Sequence, residues 1–161
     1  MTAIESRLFA AGMPVAALME KVAGRIARRV QALYPLGARS RVGVMVGPGH
    51  NGGDALVVAR ELHLRGYEVM IYRPLTTGKE LTAAHAQYAA SLGIPMVDEV
   101  SALRGCDWLL DGLFGFGLTR SLEGAIADAI DQVNGWRRPV VSIDLPSGVH
   151  TDTGAVLGTA V

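Results

Sequence analysis

Arg41-Val-Gly-Val-Met-Val-Gly-Pro-Gly-His-Asn-Gly-Gly-Asp54 is the stretch whose reading decides the fold. Val42, Val44 and Val46 make a short apolar run of the kind that forms a buried strand. Gly47, Gly49, Gly52 and Gly53 then turn the chain, and residues 55–65 continue as a predicted helix. Asp54 stands where a helix N-cap belongs, and Gly66 is a natural stop. A strand running through a glycine-rich turn into a helix is the opening of a βαβ unit.

Working outward, the same alternation repeats. Residues 4–33 carry one apolar stripe (Val15, Leu18, Met19, Val22, Ile26, Val30) at helical spacing, with Pro14 placed for a first turn. Glu68–Tyr72 reads as a second strand. Thr77-Gly-Lys-Glu80 has capping-box spacing and opens a predicted helix that ends near Gly93. Short strands follow at 94–97, 108–110 and 140–143, with a helix over 122–133 between the last two. The expectation is an α/β fold, three-layer αβα and Rossmann-like, with a mainly parallel sheet in a single domain over 1–161. Only residues 144–161 follow the last predicted strand, so an incomplete C-terminal sheet edge is expected.

Composition narrows the function classes. Half of the 161 residues are apolar and 19% are charged, which excludes a disordered chain or a coiled coil. Lys plus Arg equals Asp plus Glu at 15 each, which argues against a general grip on nucleic acid or anionic lipid. Arg25, Arg28 and Arg29 read as a solvated helix face. Cys106 is alone, so no internal disulfide can form, and a reducing, cytoplasmic setting with an inert thiol is expected. No apolar run approaches the roughly 20 residues of a membrane span, and no signal-peptide core is visible. His63, His85 and His150 are isolated, which leaves no zinc-ligand spacing.

Three loops carry the chemistry: 47–54, Asp111-Gly-Leu-Phe-Gly-Phe-Gly117 and Asp144-Leu-Pro-Ser-Gly148. Each follows an apolar run, so all three are expected at carboxyl ends of parallel strands, around one crevice. The first offers backbone N–H groups and a helix N-terminus to an anion. It lacks the Lys-Ser/Thr pair of a Walker loop and the glycine spacing of the dinucleotide fingerprint. Asp111 and Asp144 are two strand-end carboxylates able to divide acid and base work. Arg120 is placed to meet an anion or to be solvated, and Phe114 and Phe116 read as packing or pocket wall. Ser147 has no nucleophile elbow around it and reads as a hydrogen-bonding or cation-coordinating hydroxyl.

These residues, together with Leu18-Met19-Glu20 and Asp152-Thr-Gly154, resemble the YjeF N-terminal domain family, the NAD(P)H-hydrate epimerases. The resemblance implies an isomerase that interconverts the R and S forms of NADHX and NADPHX, which are nicotinamide cofactors hydrated at C6. It implies bound potassium (K+) on Asn51, Asp111 and Ser147. It implies substrate contacts from His50, Asn51, Gly52, Gly53 and Asp54, from Gly115, Phe116, Gly117, Leu118, Thr119, Arg120 and Ser121, and from Asp144. Asp111 is the expected acid/base. Exposed apolar helix faces and the resemblance together suggest a homodimer. The sequence departs from the family in having His50 for Asn and Ala55 for Gly. Family members also continue into further strands and a closing helix, and some carry a dehydratase domain. Two readings compete: a non-catalytic nucleotide-, RNA- or protein-binding module, and a generic dehydrogenase. The second lacks the expected glycine spacing and a ribose-binding acid.

Overall fold

The computed structural model describes residues 2–161, with the side chains of Thr2, Ala3 and Glu5 left aside. Its elements run α1 (Thr2–Ala10), α2 (Val15–Leu33), β1 (Arg41–Val46), α3 (His50–His63), β2 (Glu68–Tyr72), α4 (Glu80–Ser91), β3 (Met96–Val97), β4 (Trp108–Gly112), α5 (Ala125–Gly135) and β5 (Val140–Ser142). A 3₁₀ segment, Val100–Gly105, precedes β4 and was not foreseen. Every strand pairing in the sheet is parallel, in the order β3-β2-β1-β4-β5. The order reverses between β1 and β4, and that is where an open α/β sheet leaves a crevice.

Strand alternation divides the core between the two faces. Val42, Val44, Val46, Val69, Ile71, Trp108 and Leu110 pack against α2, α3 and α4. Met45, Tyr72 and Leu109 face the other way, onto Leu103 of the 3₁₀ segment and Ile130 and Val133 of α5. Each fully buried aliphatic side chain contributes about 1.5–3 kcal/mol, so this two-faced burial is the main force assembling the layers. Trp108 is wholly buried, stacks on Tyr34 at 4.8 Å, and donates from Nε1 to the Arg39 carbonyl. It thereby ties the end of α2 to the centre of the sheet.

Several boundaries differ from the sequence reading, each for a local reason. The predicted helix over 4–33 is two helices, broken at Gly12 (φ +90°) and at Pro14, which is extended at the N-cap of α2. The Thr77–Glu80 capping box does not form. Lys79 is the N-cap of α4, without a side-chain cap, and its N–H goes to the Pro48 carbonyl at 2.9 Å. Tertiary contact has replaced the local one. The last helix starts at Ala125 rather than at 122, because Gly124 at its N-cap takes a non-helical φ of +60°, while the Leu122 N–H bonds the Leu157 carbonyl of the returning tail. That tail (148–161) crosses Gly148 at φ +99°, and Val161 N–H bonds the Ser147 carbonyl at 2.9 Å.

Candidate functional site

The glycine loop is built by close packing as much as by openness. A Cβ on Gly47 would strike the Leu113 carbonyl, one on Gly52 the Gly47 carbonyl, and one on Gly112 the Ala55 side chain. Gly53 faces Met19 of α2, whose Cε would be 2.6 Å from such a Cβ. These glycines let β1, β4, α2 and α3 interlock. Gly49 and Gly117 have open space and are the positions that leave room for a ligand.

Because Gly52 and Gly53 pack so tightly, α3 begins earlier than helix propensity suggests. His50 is its first residue, Gly49 its N-cap, and no side chain caps it. Asp54, expected at the N-cap, lies inside the helix and on the cleft wall. The first-turn N–H groups of α3 therefore face the crevice with the positive end of the helix dipole behind them. Thr82 of α4, wholly buried, donates to the Gly49 carbonyl at 2.9 Å and fixes the loop from behind.

Asp111 lies at the end of β4 and is wholly buried. Its Oδ1 accepts from the Ser147 hydroxyl at 2.6 Å and from Leu113 N–H at 3.2 Å. Its Oδ2 accepts from Ser147 N–H at 2.8 Å and the Ser142 hydroxyl at 2.9 Å. Burial raises its pKa above the usual aspartate range, opposed by those bonds from Ser147, Leu113 and Ser142. Among the described residues no Lys or Arg forms a salt bridge with it. Ser147 is also buried, accepts from Phe114 N–H at 2.9 Å, and among the described residues has no histidine partner.

Asp144 occupies the other position. It is exposed, lies on the cleft wall just beyond β5, and accepts from Phe116 N–H through Oδ2 at 2.8 Å. A Cβ on Gly115 would lie 2.6 Å from that Oδ2 and 3.4 Å from Asn51 Cγ, so Asn51, Gly115 and Asp144 meet at one point. The Asn51 Nδ2 is buried there without a hydrogen-bond partner. The four residues picked from three loops thus fall into two groups, Asp111 with Ser147 behind the wall and Asn51 with Asp144 on it.

The cleft holds about 720 Å³. Of the expected substrate residues, His50, Asn51, Asp54, Gly115, Phe116, Gly117, Leu118, Thr119, Arg120 and Asp144 line it. Gly52 and Gly53 are behind the loop, and Ser121 is exposed outside the lining. Asp111, the expected acid/base, is not on the lining either, because its side chain points to the α5 face of the sheet together with Leu109. Sequence reasoning missed Lys79, and also the apolar wall of Phe9, Val15, Leu18, Val22 and Ile26 supplied by α1 and α2. By spacing alone the α2 residues read as a core stripe, and only Leu18 of them belongs also to the segment that carries the family resemblance. Glu20 of the Leu18-Met19-Glu20 segment pairs with Arg60 of α3 at 2.6 Å and holds that wall in place.

An all-parallel, doubly wound sheet with a glycine-lined crevice at its switch point defines a Rossmann-like α/β protein with its candidate site in that crevice. The chain belongs to the family described as YjeF-related protein N-terminus, whose model matches residues 15–161. It is 60% identical, over its whole length, to 31% of the bifunctional NAD(P)H-hydrate repair enzyme Nnr of Synechocystis sp.. Over 93% of its length it is 39% identical to the NAD(P)H-hydrate epimerase of Limosilactobacillus fermentum, covering 72% of that protein. The chain thus spans about a third of the length of the cyanobacterial repair enzymes and most of the stand-alone epimerase. The crystal structure of yeast ynu0 superposes with a TM-score of 0.85 at 24% identity, covering 99% of this chain and 73% of that one, which shows a common fold.

Proposed function

We propose that this chain interconverts the R and S forms of NADHX and NADPHX, as a metabolite-repair isomerase. The observation that carries the reading is the Asp144 carboxylate, held by Phe116 N–H on the wall of a nucleotide-sized cleft beside Asn51. At C6 of the hydrated ring the hydroxyl-bearing carbon is bonded to nitrogen. Protonating the hydroxyl expels water and leaves a cation delocalised onto that nitrogen. Water then adds to either face and gives up its proton. In our reading Asp144 donates the first proton and accepts the last, and its negative charge stabilises the cation between. The role expected of Asp111 passes to Asp144 because Asp111 is walled off and fully hydrogen-bonded. The first turn of α3 and the open backbone at Gly49 and Gly117 suit the pyrophosphate.

Potassium belongs to the same proposal, on Asn51, Asp111 and Ser147. The donor set fits: a buried carboxylate with no salt-bridge partner, a hydroxyl and an amide. The Ser147 proton has a second acceptor, the Phe114 carbonyl at 3.2 Å, which would free a lone pair on Asp111 Oδ1. A half-turn of the Asn51 amide would put Oδ1 where the orphaned Nδ2 now lies. A cation there would balance the Asp111 charge and stiffen the loops that carry Asn51 and Asp144. The buried lone thiol Cys106 accords with a reducing, cytoplasmic setting, and no helix among the described residues is long and apolar enough to cross a membrane.

The test supplies R-NADHX to the chain and follows the R-to-S ratio by chromatography, with potassium and with potassium removed. Approach to the equilibrium ratio, faster with potassium, is expected. Asp144→Asn should slow it by about 100-fold or more, the usual worth of a positioned acid/base. Asp111→Asn should abolish the potassium response. An unchanged ratio with the parent chain defeats the epimerase reading, and full turnover by Asp144→Asn defeats the proton-transfer role.

A further inference from the structure

We propose that Arg73 and Lys79 form a subsite for a phosphate on the adenosine ribose, so that the cleft favours NADPHX over NADHX. The proposal rests on the epimerase reading for its substrate, and on the sheet order for its place. Asp144 follows β5, on one side of β1, and β2 lies on the other side. A dinucleotide whose nicotinamide meets Asp144 and whose pyrophosphate crosses the α3 N-terminus must carry its adenosine toward β2. Strands are about 4.8 Å apart, so β2 is roughly 14 Å from β5, a reach suited to the far half of such a ligand.

In dinucleotide-binding sheets the residues following this second strand choose between a ribose hydroxyl, which a carboxylate accepts, and a ribose phosphate, which an arginine accepts. Here the segment is Arg73-Pro-Leu-Thr-Thr-Gly-Lys79, with two cations and no acid. Arg73 is the first residue beyond β2 and is half-buried. Its Nη2 donates to the Thr76 carbonyl at 2.9 Å, and its Nε is buried without a partner. Lys79 is exposed and lines the cleft. Its N–H bonds the Pro48 carbonyl at 2.9 Å, and Gly78 packs directly on Pro48, so this segment is stitched to the glycine loop. Among the described residues neither cation has a salt-bridge partner; Lys79 lines the cleft, while Arg73 and the adjacent acid Glu80 both lie outside its lining. A guanidinium fork and an ammonium, both uncompensated, suit a phosphate dianion and give a neutral hydroxyl little.

The experiment compares epimerisation of NADPHX and NADHX by the parent chain, by Arg73→Gln and by Arg73→Gln/Lys79→Gln. In the double variant the KM for NADPHX should rise about tenfold more than the KM for NADHX, the usual worth of charge-assisted hydrogen bonds. Equal losses with both substrates would mean that the pair only holds its loop, and would overturn the subsite. Calorimetry with adenosine 2′,5′-bisphosphate and ADP gives an arm free of turnover. The bisphosphate should bind more tightly to the parent chain and lose that margin in the double variant. Equal binding of the two nucleotides by the parent chain overturns the subsite whatever the turnover. A retained margin without epimerisation upholds the subsite and defeats the epimerase reading alone.

Discussion

Gly115 is the residue on which the site geometry turns. The loop needs it free of a side chain because Asp144 Oδ2 and Asn51 Cγ both crowd the position a Cβ would take. Gly115→Ala should therefore push the carboxylate off its Phe116 N–H. Misplacement of about 1 Å can cost about 100-fold in rate, and that is the expected loss of epimerisation. Global stability should change by only about 0.5 kcal/mol, because the loop is half-exposed and the displaced group is a short polar side chain. A chemical-denaturation curve beside the rate assay checks both, and an unimpaired rate would refute the crowding. At this scale residue types in the loops were legible: acids, amide, hydroxyl and glycines were all picked from the sequence. The division of labour between Asp111 and Asp144 was not. Both end a strand and both carry a carboxyl. Only packing on the α5 face buries one, while the loop after β5 leaves the other on the cleft wall.

Elements were legible where a period repeats and opaque where a neighbour overrides it. β1 and β2 fall on the residues expected, because alternating valines or a compact apolar run leave little choice. The start of α3 at His50 could not be read, since two successive glycines are poor helix formers until Met19 and Gly47 close over them. The α2–α3 contact also carries a charge pair. Arg60 holds the Glu20 carboxyl below the usual glutamate range, chiefly through their hydrogen bond, with burial opposing. A depressed acid stabilises the fold above its ordinary range and loses that contribution as pH falls through the folded value. Because the Glu20 side chain is 44% exposed, solvent screens the pair and its worth is about 0.5–1 kcal/mol. Glu20→Gln should thus be less stable than the parent chain near pH 7, with the gap closing in urea titrations as pH falls below the ordinary glutamate range. A gap that persists in acid would show that the pair is not its source.

For the whole molecule, a large share of the exposed apolar surface lies on the N-terminal helices. Ile4 and Leu8 of α1, Met13 between the helices, and Leu33 of α2 are all open to solvent. A surface of this kind is suited to burial against a second copy. Light scattering should then give about twice the 17.0 kDa of one chain, falling to one chain in Leu8→Glu. A single-chain mass for the parent at every concentration would refute the dimer. The amino-acid sequence by itself determined the α/β class, the strand-loop-helix rhythm and the small set of chemically able residues, because periodicity and residue type are local properties. The tertiary structure alone decided that β4 lies beside β1, which carboxylate is buried, which glycines pack and which stay open, and that α1 and α2 wall the cleft. Those depend on contacts between residues far apart in the chain, where burial and hydrogen bonding outweigh local preference.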